Sequence, residues 1–246
     1  MARDFSRMSE SELRDLDALL APHGSRWWDS HYQDRAKPCP FFGTAADESL
    51  AMWIQAGLLR PGLAIDLGCG NARNAIFLAR QGFTVQAVDY SHTAIEWARD
   101  RIADAGVAVS LRQANVLELD LAAGHYDLVY DSGCFHHIAP HRRSHYVTRV
   151  VSALKPGGCF GLACFRPEGG SGYGDDEVYS RGSLGGGLGY TESQLRKLWS
   201  RGLQIRALRP MDKPSVDSGL FGESYLWALL AQKDSSPTAP MQKDVA

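Results

Sequence analysis

Ala64-Ile-Asp-Leu-Gly-Cys-Gly-Asn-Ala-Arg-Asn74 decides how the rest of the chain is read. An apolar run from Leu63 to Leu67 breaks into a glycine turn at Gly68 and Gly70. An amphipathic segment with Ala75, Ile76, Leu78 and Ala79 follows, which spells strand, tight turn, helix. A second apolar run, Phe83 to Val88, stops at Asp89, nineteen residues past Gly70. Glycine lets the backbone approach a ligand closely, and the free N–H groups of the helix opening near Asn71 attract an anionic group. An acid that closes the next strand is placed to accept hydrogen bonds from ribose hydroxyls. Together these features describe a site for an adenosine-bearing ligand.

Working outward, alternating strand and helix patterns continue. Strand two (Thr84 to Asp89) leads to a helix from about Thr93 to Ala105, with Ser91 as its N-cap. Strand three (Val109 to Arg112), strand four (Asp127 to Tyr130), a helix around Ser144 to Leu154 and strand five (Cys159 to Phe165) follow, the last after the turn Lys155-Pro-Gly-Gly158. Repeated βα units with apolar strands imply an α/β fold, a doubly wound and mostly parallel seven-stranded sheet. Strands six (Leu203 to Leu208) and seven (Tyr225 to Ala231) read as an antiparallel edge hairpin, after a helix from Thr191 to Trp199.

On the N-terminal side, Leu13, Leu16, Leu19 and Leu20 mark an amphipathic helix from Ser9 to Leu20 that ends before Pro22. Arg26 to Phe42 is too rich in aromatics for a solvated linker and reads as an arm, either an edge plug or a lid. Ala45 to Ala56 reads as the helix before strand one. Residues 166–190 form a glycine-rich insert with no stiffness of its own. The expected organisation is one domain over 1–233, with a helical and aromatic arm in 1–58, the insert at 166–190, and a disordered tail over 234–246.

Composition bounds the function. The chain has 246 residues, 44% hydrophobic and 22% charged, with a net charge of −2, which gives no reason to expect a nucleic-acid or membrane surface. A small metabolite is the expected partner, with the protein a monomer or homodimer. No apolar stretch approaches the roughly 20 residues of a membrane helix, and Met1 to Glu10 is polar rather than signal-like, so a cytoplasmic location is expected. Five cysteines fit reduced thiols. Cys39, Cys134, His136, His137, His141 and His145 match no common zinc spacing, so no metal is expected.

The cofactor class follows from details of the turn. A dinucleotide fingerprint needs a third glycine where Arg73 stands, and Asp66 would repel a pyrophosphate. An acid beside a helix N-terminus instead suits S-adenosylmethionine, whose amino-acid end carries an ammonium and a carboxylate. Asp66-Leu-Gly-Cys-Gly70 with Asp89 downstream resembles the first motif and following acidic position of the class I S-adenosylmethionine-dependent methyltransferases. Val88-Asp-Tyr-Ser91, Tyr130-Asp-Ser-Gly-Cys-Phe-His-His137 and Leu154-Lys-Pro-Gly-Gly158 narrow the resemblance. They point to the small-molecule branch of thiopurine and thiol S-methyltransferases and tellurite-resistance-like proteins.

The resemblance implies a Rossmann-like sheet, S-adenosylmethionine as cofactor, and methyl transfer to a heteroatom, sulfur or nitrogen favoured, of a small metabolite. Cofactor contacts are expected from Trp28, Asp66, Gly68, Gly70, Asn71, Asn74, Asp89, Tyr90, Asn115, Val116, Asp131 and Ser132. Acceptor contacts are expected from Tyr32, Phe42, Cys134, His136, Tyr173 and Tyr179. His136, His137 and Asp131 are the candidate proton acceptors. Asn115 could instead cap a turn, and the histidine pair could be structural. Two other readings stay open: a non-catalytic cofactor-binding regulator on the same fold and, less favoured, an NAD-dependent oxidoreductase.

Overall fold

A computed structural model describes residues 5–20 and 24–235. Its centre is a seven-stranded sheet. The strands are β1 (Leu63–Leu67), β2 (Thr84–Asp89), β3 (Val109–Gln113), β4 (Tyr126–Ser132), β5 (Leu154–Phe165), β6 (Gln204–Pro210) and β7 (Leu226–Gln232). They lie in the order β3-β2-β1-β4-β5-β7-β6, parallel from β3 to β5, with β7 antiparallel to both β5 and β6. The final pair thus folds back so that its later strand sits inside and β6 forms the edge. Strand order reverses between β1 and β4, which opens a crevice beyond their carboxyl ends.

The helices are α1 (Glu10–Leu20), α2 (Ser25–Gln33), α3 (Glu48–Gln55), α4 (Arg73–Arg80), α5 (His92–Ala105), α6 (Arg143–Ala153), α7 (Asp175–Arg181) and α8 (Glu192–Trp199). Side-chain alternation along the strands feeds two cores. Leu128 and Tyr130 join Leu50, Trp53, Ile76, Leu78 and Ile95 from α3, α4 and α5 on one face. Val129 and Phe160 join Tyr146, Val150, Leu195 and Trp199 from α6 and α8 on the other. Burial on both faces explains why β1 and β4 are near-continuous apolar runs.

Local chemistry sets the helix ends that matter. The Ser91 hydroxyl accepts the Ala94 N–H and opens α5, while Thr191 and Gln194 form a capping box on α8. The insert differs from its composition, because it contains α7. Glu177 accepts the Gly174 N–H to open that helix, and Val178 is fully buried in the core. The aromatic arm is helical over α2 and ends in a single 3₁₀ turn, Pro40–Phe42. The expected tail lies almost wholly outside the described residues, as does Pro22.

Candidate active site

A cleft of about 1460 Å³ lies outside the carboxyl ends of β1, β2, β3, β4 and β5, larger than the roughly 300–1,000 Å³ usual for one ligand. Its floor starts at the glycine turn. Gly68 and Gly70 have φ of 71° and 52°, a region that disfavours side chains. A Cβ on Gly68 would come within 2.6 Å of the Cys134 Cβ, and one on Gly70 within 3.0 Å of the Tyr32 hydroxyl. The bare backbone is therefore required by close packing as well as by conformation.

Asp89 ends β2 at the cleft wall. Its carboxylate accepts the Gly70 N–H at 2.8 Å and the Ser91 N–H at 2.9 Å, which locks the acid to the turn. Burial outweighs these donors and raises its pKa to about 6. Tyr90, Asn115 and Val116 continue the wall. The Asn115 side chain caps its own turn, accepting from the Leu117 N–H and donating to Glu118. It thereby presents a fixed amide edge next to the buried Val116.

The arm forms the roof. Asp29 on α2 accepts the Ser91 hydroxyl at 2.7 Å and the Thr93 N–H at 3.2 Å, so the arm is pinned to the start of α5. Tyr32 stacks on Phe42, whose ring meets Trp97 of α5 edge-on, and Trp28 meets His137 edge-on. Trp28, Tyr32 and Phe42 all line the cleft. Burial beside Asp89 lifts the Tyr32 hydroxyl well above its ordinary pKa and keeps it a neutral donor.

Ser132, Gly133, Cys134, His136 and His137 form the far wall with Phe41, Phe165 and Tyr225. His136 is 1% exposed and stacks on Phe165 with centroids 3.8 Å apart. Its Nδ1 accepts the Phe165 N–H, and burial drives its pKa well below the usual histidine value. It is a neutral, positioned ring. His137 is the less buried of the pair.

Several expected site residues are elsewhere. Asp131 is fully buried and absent from the cleft wall: it accepts the N–H groups of Cys134 and Phe135 and the Tyr146 hydroxyl at 2.5 Å. Its cost of burial is met by three donors, so it shapes the turn that carries the histidines. Asn71 donates to the carbonyls of Phe42 and Gly43, and Asn74 exchanges hydrogen bonds with Asp47, so both tether the arm's end to the turn. Asp66 lies beneath the turn, 2% exposed, with one carboxylate oxygen lacking a partner, and burial with Asp47 nearby raises its pKa to about 8. Tyr173 packs under Arg181, and Tyr179 bonds His141; neither lines the cleft.

Other contributors have weak sequence signals. Arg73 of α4 pairs with Asp47 at 2.6 Å and donates to the Ser132 hydroxyl at 3.0 Å, joining the arm, the turn and β4. Asp29 has no sequence signal beyond its place in the aromatic arm. Among the described residues no group of three or more His, Cys, Asp or Glu is arranged to hold a metal ion, and no helix is long and apolar enough to cross a membrane.

This geometry fits an adenosylated, zwitterionic ligand. Asp89 presents its carboxylate, and Val116 an apolar face, to the cleft. Residues 64–158 match the family described as a methyltransferase domain. The sheet order is that of the solved S-adenosylmethionine-dependent methyltransferase structures it superposes on, such as one from Methanosarcina mazei at a TM-score of 0.60 and 19% identity, covering 74% of this chain and 98% of that one.

Among curated proteins, the chain is 38% identical over 85 residues to an uncharacterized methyltransferase of Schizosaccharomyces pombe, covering 35% of this chain and 58% of that one. It is 33% identical over 161 residues to the ubiquinone biosynthesis O-methyltransferase of Bordetella avium, covering 64% and 61%. The chain thus spans about three fifths of these relatives' length. Among solved structures, the Burkholderia thailandensis 1,6-didemethyltoxoflavin-N1-methyltransferase, with its acceptor and S-adenosylhomocysteine bound, superposes with a TM-score of 0.60 at 20% identity. That match covers 95% of this chain and 94% of the other.

Proposed function

We propose that the protein transfers the methyl group of S-adenosylmethionine to a heteroatom, sulfur or nitrogen, of a small metabolite. One observation carries this reading: Asp89, fixed by the Gly70 N–H beside a bare glycine turn, opens into a cleft large enough for two ligands. When bound, the cofactor supplies a sulfonium methyl group in an in-line displacement. Asp89 takes the ribose hydroxyls, Val116 and Asn115 flank the base, and the turn meets the amino-acid end. Asp66 supports that turn from below, its carboxyl largely neutral near pH 7 because burial raises its pKa to about 8. Trp28, Tyr32 and Phe42 exclude water, and such positioning is worth up to roughly 7 to 11 kcal/mol of barrier.

Cleft chemistry also supports an acceptor uncharged at its reacting end. Glu10 and Asp17 pair with Arg142, Arg14 with Glu10, and Glu168 with Arg166. Lys37 meets His31, and Glu118 meets Asn115, so these lining charges are already partnered within the chain. A thiol, with a pKa of about 8.5, is partly ionised near neutrality and needs no base. An amine or hydroxyl would pass its proton to His137, since the one acceptor nitrogen of neutral His136 already accepts the Phe165 N–H. The sulfur preference also rests on the resemblance to thiol S-methyltransferases. Relatives named for an oxygen and a nitrogen acceptor support heteroatom transfer in general.

The test is incubation with isotopically labelled cofactor and a panel of thiols, amines and phenols, followed by mass spectrometry. A methylated thiol or amine is the expected product. Tight S-adenosylhomocysteine binding with no methylated product from any nucleophile would instead establish a non-catalytic cofactor-binding regulator.

A further inference from the structure

A second cavity, of about 460 Å³, lies between α4, α5 and the segment before α3, and it shares no lining residue with the cleft. Three arginines line it, Arg73, Arg80 and Arg101, against one acid, Asp104. Arg73 is already satisfied by Asp47, the Ala45 carbonyl and Ser132. The other two keep donors that no group among the described residues takes, Arg80 at the exposed rim and Arg101 further in. Arg101 is half-buried and spends one guanidinium nitrogen on the Asn71 carbonyl, 3.0 Å away. Arg80 has no hydrogen-bond or ion-pair partner among the described residues, and Asp104 makes no ion pair with either.

Clustering these cations is unfavourable in the free protein. Burial first, then the fields of Arg73 and Arg80, push the Arg101 pKa down. A ligand that cancels two guanidinium charges relieves that repulsion. Guanidinium forks match phosphate oxygens in geometry as well as charge, and a dianion matches two uncompensated arginines better than a monocarboxylate does. Ile76, Phe77 and Leu220 supply an apolar side where a short organic group can lie.

We propose that this cavity is a second binding site, which holds the phosphate of a small phosphomonoester between Arg80 and Arg101. Its coupling to the cofactor site rests on the methyltransferase reading; the binding itself does not. Arg101 donates to the Asn71 carbonyl, Asn71 holds the carbonyls of Phe42 and Gly43 in the arm, and the neighbouring Gly70 N–H holds Asp89. A phosphate that draws the Arg101 guanidinium toward itself loosens its hold on Asn71. Cofactor affinity then changes with phosphate occupancy, and the effect is reciprocal.

Calorimetry on the full chain at constant ionic strength tests this, with inorganic phosphate, glycerol phosphate and acetate as probes. Glycerol phosphate should bind and change S-adenosylhomocysteine affinity by about fivefold or more, the low end of ordinary allosteric coupling. Arg80→Gln should weaken phosphate binding by roughly 10- to 100-fold, as expected for losing a charged hydrogen-bond donor. Without phosphate, the same variant should keep its S-adenosylhomocysteine affinity, which shows that it folds. No binding by either phosphate probe, or equal binding in Arg80→Gln, overturns the site. Acetate binding as tightly as glycerol phosphate overturns the selection for a dianion, and phosphate binding with unchanged S-adenosylhomocysteine affinity overturns the coupling.

Discussion

Asp66 and Asp89 end neighbouring parallel strands, both nearly buried, yet their surroundings give them different tasks. Asp89 holds two backbone N–H donors and faces the cleft, so its free lone pairs are the natural acceptors for a ribose. Asp89→Ala should weaken S-adenosylhomocysteine binding by roughly 2 to 4 kcal/mol, and unchanged affinity by calorimetry would remove Asp89 from the site. Asp66 has an unpartnered oxygen and a pKa raised to about 8, first by burial and then by Asp47. An acid whose folded pKa lies above its unfolded value binds more protons when folded, so its contribution to stability is present at low pH. It is lost as pH rises from about 4 to 8, at up to about 1.4 kcal/mol per pH unit. Asp66→Asn, which keeps the shape without the charge, should flatten that decline. Urea denaturation at pH 5 and pH 8 decides it, and an equal fall in mutant and wild type would mean that Asp66 does not titrate there. The Asp47 and Arg73 pair has the opposite sense, since Asp47→Ala leaves a buried guanidinium without its counter-charge, held only by the Ala45 carbonyl and the Ser132 hydroxyl, and should destabilise by roughly 3 to 5 kcal/mol.

At the scale of elements, the arm and the insert differ in how they are held. Helix α2 has no fully buried residue, and it is held to the domain by Asp29 on Ser91 and Thr93, Trp28 on His137 and Tyr32 against Trp97, with an exposed Arg35–Asp100 pair just past its end. Elements secured by few buried contacts open at low free energy. Amides of α2 should therefore exchange quickly in the free protein and slow when S-adenosylhomocysteine binds, and Asp29→Ala should reduce that slowing by freeing the arm from α5. Full protection without ligand would make the arm a structural plug. The insert is anchored: Val178 is fully buried, Leu184 and Leu188 join the core, and the Leu188 N–H bonds the His136 carbonyl. Its glycine content implies a segment with no stiffness of its own, because composition reports backbone freedom and cannot show which few apolar residues will find the core. Amides of α7 should be protected with or without ligand.

For the molecule as a whole, the sheet was legible because strands buried on both faces are apolar without interruption, and because turn glycines and acids punctuate them at βα spacing. Four of the residues expected at the cofactor, Gly68, Asp89, Tyr90 and Val116, are local to strand ends, and all line the cleft. What sequence order misplaced depends on contacts between distant segments. Asn71, Asn74 and Asp131 sit in the motif, yet they serve the arm and the histidine turn, and Asp29 acts on residues 62 and 64 positions away. A ligand that joins the arm, the turn and β2 therefore stabilises the native state at several elements at once. At 100 times its dissociation constant, S-adenosylhomocysteine should add about 2.7 kcal/mol to unfolding, and a domain of this size gains roughly 2 to 4 °C in Tm per kcal/mol. A rise of roughly 5 to 10 °C is expected by calorimetric melting. Asp89→Ala should show little of it at the same ligand concentration, and NADH should give none with either protein, because Arg73 stands where a dinucleotide turn needs glycine. A comparable rise with NADH, or one retained in Asp89→Ala, would overturn the assignment of the cofactor site to this turn and this acid.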